Sequence, residues 1–182
     1  MYISFDKKNM YRQEGSAYNG HVDEQMKSCK REENMGIKYS EVNFNRLIED
    51  LTECCLGEGS CGSCDKPSCI VGYAQNCATN CMKDKVSYVM GGDTNIPFTD
   101  FKIYQEEDFA KGIAHTLKMC RSCEQEHYGQ CIISVIRNCY EIGLFGEAQP
   151  YDGSNFRYLN DINSLNPQIA SDIMAEFNNT TN

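Results

Sequence analysis

The stretch CGSCDKPSCIVGYAQNC, residues 61–77, is answered by CRSCEQEHYGQCIISVIRNC, residues 120–139. Each begins Cys-x-Ser-Cys followed by an acidic residue. Each continues after a spacer with Cys-Ile-Val or Cys-Ile-Ile, then closes on Asn-Cys. Shared spacing of this kind marks an internal duplication. The match extends upstream, where Phe44, Arg46 and Ile48 are spaced like Phe109, Lys111 and Ile113 if the first copy carries a longer loop. The chain therefore reads as two copies of one unit, residues 44–82 and 109–146. Each copy is a helix, a CxxC loop and a second helix carrying two more cysteines.

The patterns around these stretches give the expected elements. Ser40 is a candidate N-cap, with Asn43 where a capping box has its Glu or Gln, and Val42, Leu47, Ile48 and Leu51 form an apolar stripe ending at Leu56-Gly57. Residues 57–68 are dense in Gly, Ser, Asp and Pro and read as a loop holding Cys61 and Cys64. Ser68 is placed to cap a helix over about 69–82. Residues 85–101 break at Gly91-Gly92 and Pro97, which predicts a short strand or helix end and then a linker. A helix starting at Thr99 or Glu106, with Phe109, Ile113 and Leu117 on one side, leads to the second CxxC. The next, over about 127–144, carries Ile132, Val135, Ile136, Tyr140 and Leu144. A turn at 151–154 and an amphipathic helix near 164–177 complete the chain. The expected fold is mostly α: two pseudo-symmetric helix–CxxC loop–helix units, a C-terminal helix packed on them, and a loosely ordered polar N-terminal arm over residues 1–39. Residues 40–182 form one cysteine-rich helical domain.

Composition narrows the functional classes. A formal charge of −9 disfavours binding to phosphate backbones, which draws on clustered Lys and Arg, so no nucleic-acid partner is expected. Lys118, Arg121 and Arg137, the basic residues near the cysteines, are expected to be solvated or paired with acids. No apolar run reaches membrane-spanning length and the first residues lack a signal-peptide pattern, so the expected compartment is the cytoplasm, away from the membrane. There thiols stay reduced, and twelve cysteines point to metal rather than to disulfides. If the chain is exported by another route, the same even count permits six cystines.

Two thiolates spaced as CxxC converge on one ion or one cluster edge, while turn amides offset their charge. Third and fourth cysteines follow each turn, so the candidate ligands are Cys61, Cys64, Cys69 and Cys77 in the first copy, and Cys120, Cys123, Cys131 and Cys139 in the second. Along a regular helix Cys69 and Cys77 stand about 12 Å apart. One ion does not reach both. A four-iron cluster is wider, especially if Gly72 loosens the first turn, and a ligand exchanged between copies, or supplied by Cys54, Cys55 or Cys81, is the alternative. Zinc competes: two CxxC turns supply four thiolates, and Cys123, His127 and Cys131 supply a mixed set. Cys54, Cys55, Cys81 and Cys139 also suit small core residues. A dithiol redox centre lacks the βαβ setting that such chemistry uses.

The spacing matches neither the bacterial nor the plant-type ferredoxin run, and the chain resembles ferredoxins only in housing duplicated CxxC groups. His115 reads as a partly exposed helical histidine, Glu106-Glu107 as helix-start charge, and His21 and Cys29 as incidental. No acid, base or nucleophile constellation stands out. The leading expectation is an iron–sulfur protein with one or two clusters, 4Fe-4S favoured, acting in electron transfer or in redox or cluster sensing with a protein redox partner or larger complex. The alternative is a zinc-stabilised interaction module with no redox role.

Overall fold

The computed structural model describes residues 37–121, 123 and 128–179, so nearly all of the expected arm, with His21 and Cys29, lies outside the described residues, as does His127. The described part is mostly helical. Its seven α-helices are α1 (Phe44–Glu53), α2 (Glu58–Cys61), α3 (Ile70–Asp84), α4 (Glu106–Arg121), α5 (Ile132–Phe145), α6 (Asn155–Leu165) and α7 (Pro167–Asn179). An isolated antiparallel bridge joins Tyr88 to Cys131. No helix among the described residues is long and apolar enough to cross a membrane.

Several boundaries differ from the sequence expectation for local reasons. Ser40 falls in a 3-10 turn, and α1 is capped instead by Asn43, whose side chain accepts from the Arg46 N–H at 3.1 Å. The helix stops at Glu53, short of Leu56-Gly57, and the glycine-rich segment that follows holds the short helix α2. Cys69, not Ser68, occupies the N-cap of α3. In the tail, one expected helix is two. Proline has no N–H to give a helix interior but suits a first turn. Asn166 before it is accordingly extended, at φ −148°, and its side chain caps α7 through the N–H groups of Gln168 and Ile169.

The core forms where these helices cross. Helix α1 packs on α3 and α4 on α5, and in addition α1 meets α4 and α3 meets α5. Helix α7 lies along α4 and α6. Leu47, Leu51, Ala74, Ala78, Phe109, Ile113, Ile136 and Ile173 are fully buried at these contacts. The α4–α5 crossing is very close. A Cβ added at Gly112 would stand 2.3 Å from the Tyr140 ring, and one at Gly143 would stand 2.2 Å from the Phe109 ring. Each helix thus seats an aromatic ring of the other directly on its backbone.

His115 contradicts its expected exposure: it is only 3 % exposed. Its Nδ1 lies 2.7 Å from Asp50 Oδ2 and its Nε2 lies 3.0 Å from Glu176 Oε1. Two Arg46 nitrogens lie 3.2 and 3.1 Å from the ring nitrogens. The carboxylates belong to α1 and α7 and the imidazole to α4, so the network ties three helices together. Glu106 and Glu107 are exposed in the first turn of α4, in keeping with helix-start charge.

Candidate functional site

The first cysteine group is assembled by the loop between α1 and α3. Cys61 is the last residue of α2, and Gly62, at φ +73°, turns the chain in a conformation that favours glycine. Cys64 follows on the turn, a 3-10 turn spans Lys66–Ser68, and Cys69 begins α3 with its Sγ accepting from the Gly72 N–H at 3.4 Å. Cys61, Cys64 and Cys69 line a cavity of about 360 Å³ together with Cys55, Lys102 and Tyr104. Cys55 stood in the sequence both as an alternative ligand and as a candidate core residue. Because α1 ends early, Cys55 leaves the helix register and is exposed, not a core thiol.

Gly72 serves this loop in an unanticipated way. The helix around it is regular, and the glycine does not loosen it. A Cβ there would stand 2.7 Å from Lys66 Cα and 2.8 Å from its carbonyl oxygen, so glycine lets the 3-10 turn rest on α3. Gly72→Ala must push backbone aside, and its expected cost is about 1–3 kcal/mol. Thermal melting checks this, with Gly59→Ala as a control, since nothing lies near a Cβ at that position.

A buried carboxylate organises the cavity wall. Asp100, whose side chain is 1 % exposed, accepts from the Ile70 N–H at 2.8 Å, from the Tyr104 hydroxyl at 2.6 Å and from Lys102 Nζ at 2.8 Å. Burial pushes the Asp100 carboxyl up, but these bonds together outweigh it and hold it below the ordinary range. The Tyr104 oxygen also lies 3.4 Å from Cys69 Sγ. Since the hydroxyl proton goes to Asp100, the Cys69 thiol is the donor to Tyr104. Lys102 is raised by its bond to Asp100, against burial, with help from Cys69 and Cys61 nearby. Phe101 and Ile103, which alternate with these two residues, point outward and are almost fully exposed.

The second group hangs from the α4–α5 pair. Cys120 lies in the last turn of α4, the Cys123 N–H bonds to the Cys120 carbonyl at 3.1 Å, and Cys131 stands at the N-cap of α5. Burial pushes Cys120 up to about 12; Arg137 draws it down, while Cys131 and Cys123 add to the rise. Burial also raises Cys131, opposed by the backbone N–H groups of Ile133, Ile37 and Ser134.

The fourth cysteines lie elsewhere. Cys77 and Cys139 are two turns into α3 and α5, where those helices pack, and both are buried. Burial raises Cys139 well above the thiol range, and its neighbour Cys77 adds to this. Cys61, Cys64 and Cys69 thus border one cavity, Cys120, Cys123 and Cys131 lie about the facing ends of α4 and α5, and Cys77 and Cys139 are neighbours in the core. Cys54 and Cys81 are core thiols as expected, each pushed up to about 12 chiefly by burial. Of the described cysteines, Cys54, Cys55, Cys61, Cys64, Cys69, Cys77, Cys81, Cys120, Cys131 and Cys139 carry free thiols.

Arg137, expected at the surface or paired with an acid, is paired with Glu141 but fully buried. Among the described residues no three Cys, His, Asp or Glu donors converge as a single ion requires; the first group's sulfurs line a wall instead. No family model, curated protein or solved structure matches the chain.

Proposed function

We propose that this is an iron–sulfur protein whose two cysteine groups, one from each copy of a duplicated unit, hold clusters for electron transfer or for redox or cluster sensing. The observation that carries the reading is the cavity of about 360 Å³ bordered by Cys55, Cys61, Cys64 and Cys69. Structural zinc takes four ligands converging at about 2.3 Å from sulfur in a closed tetrahedron. Sulfurs spread around a cavity without converging suit a wider group, with each thiolate meeting a different metal atom.

When bound, a cluster supplies one-electron chemistry whose potential follows net charge and hydrogen bonds to sulfur. The chain's own residues serve that end. The Gly72 N–H donates to Cys69, while Asp100 fixes Tyr104 and Lys102 beside it. The duplication is supported by the helix contacts: corresponding helices meet each other as well as their own partners, as a pseudo-twofold axis demands. Cys77 and Cys139, equivalent in sequence, are neighbours at such a contact.

The reading extends to a cytoplasmic protein that docks a basic redox partner, where opposite charge speeds encounter. Metal analysis of anoxically purified protein tests it. Brown protein containing iron and acid-labile sulfide is the expected result. Colourless protein with stoichiometric zinc overturns it in favour of the zinc-stabilised module, for which Cys123, Cys131 and the sequence neighbour His127 supply mixed ligands.

A further inference from the structure

One buried donor beside the second group has no hydrogen-bond partner among the described residues. Arg137 is 1 % exposed; its Nε donates to Glu141 Oε1 at 3.0 Å, and its guanidinium lies 4.3 Å from the centre of the Tyr151 ring. Glu141 is fully engaged, since it also accepts from the Tyr158 hydroxyl at 2.8 Å and from the Gln149 N–H at 2.7 Å. Arg137 Nη1 is buried with no hydrogen-bond partner among the described residues. An ionised donor left bare in the interior forfeits its hydration, so it calls for an acceptor.

Neighbouring bonds place that donor. The Tyr151 hydroxyl donates to Asn155 Oδ1 at 2.6 Å, and Asn155 Nδ2 donates to the Leu117 carbonyl at 3.3 Å, one turn before Cys120. The guanidinium therefore sits at the end of α4 that carries the thiols, and its charge acts on Cys120. In the first copy the corresponding residue is Gln75, whose Nε2 donates to the Leu51 carbonyl at 3.1 Å. One group faces a buried cation with an open donor; the other faces a neutral amide.

Resting on the cluster reading above, we infer that Arg137 is a positioning residue of the second group: its Nη1 donates to a sulfur of the cluster bound there. The second group thereby holds its metal more firmly than the first. Arginine suits the role because its planar fork spends one N–H on Glu141 while another meets the anion.

The test uses full-length protein reconstituted under anoxia with ferrous iron and sulfide, and follows iron release to a ferrous chelator. Two backgrounds separate the groups: Cys61→Ser/Cys64→Ser leaves the second, and Cys120→Ser/Cys123→Ser leaves the first. Arg137→Gln alone would strand Glu141, so the test variant is R137Q/E141Q; R137K keeps the charge without the fork. In the background that retains the second group, R137Q/E141Q is expected to release iron about tenfold faster or more, as loss of an outer-shell partner does, with R137K intermediate. In the other background neither variant changes release. Equal release from parent and double variant overturns the inference and leaves the cluster reading intact. Equal acceleration in both backgrounds overturns it too, because the effect is then on the whole fold. If the double variant does not fold, unchanged release from R137K is the overturning result. A parent that takes up no iron and sulfide overturns the cluster reading, and the inference with it.

Discussion

Cys64→Ser is expected to remove the metal of the first group and keep that of the second, with Cys123→Ser doing the converse, so each variant retains about half of the parent's metal when ligand binding is local to each loop. Cys64 is exposed and Cys123 half-buried, so exchange of sulfur for oxygen perturbs little packing. Any fall in melting temperature then reports lost metal rather than lost core. A ligand present at a hundred times its Kd stabilises by about 2.7 kcal/mol, which sets the scale of that fall. Iron and sulfide counts beside melting curves check both parts. Full metal content in both variants would show that neither thiol is a ligand.

The second large effect concerns the link between core and cavity. Phe109 is fully buried, stacked on Tyr104 with ring centres 4.7 Å apart, and meets the edge of Tyr140 at 5.3 Å. Phe109→Ala opens a void among these rings at an expected cost of about 3–5 kcal/mol. For a chain of this size that is a drop on the order of 10 °C in melting temperature. Tyr104 also loses the ring that holds it against Asp100 and Cys69, so the first group should lose metal faster than the second. Melting curves and metal release from each group read this out. Equal loss from both groups would show that Phe109 supports the fold without any bias toward the first site.

The helical character was legible in the residues because Leu47 and Leu51, and Phe109, Ile113 and Leu117, recur with the helical period. Boundaries were read less well where a local bond decided them, as at Asn43, Cys69 and Asn166. The wall formed by Asp100, Lys102 and Tyr104 was hidden for another reason. It comes from an extended segment without a helical period, and alternation places Lys102 and Tyr104 inward only because Asp100, itself buried, draws them there. Cys55 was misplaced because its helix was read too long. Arg137 had a usable signal: Ile132, Ile133, Val135 and Ile136 leave α5 apolar nearly all round, and a charge inside such a helix is buried. The expectation that Arg137 is solvated or paired with an acid holds through Glu141, but it did not extend to full burial.

The glycines at the α4–α5 crossing bear on the spacing of the second group. With the Tyr140 ring seated over Gly112 and the Phe109 ring over Gly143, neither helix slides or rolls on the other without lifting a ring from its mortise. Cys120 closes one of these helices and Cys131 opens the other. Their separation is set by joinery in the hydrocarbon interior, so whatever occupies that end must match a preset gap rather than mould it.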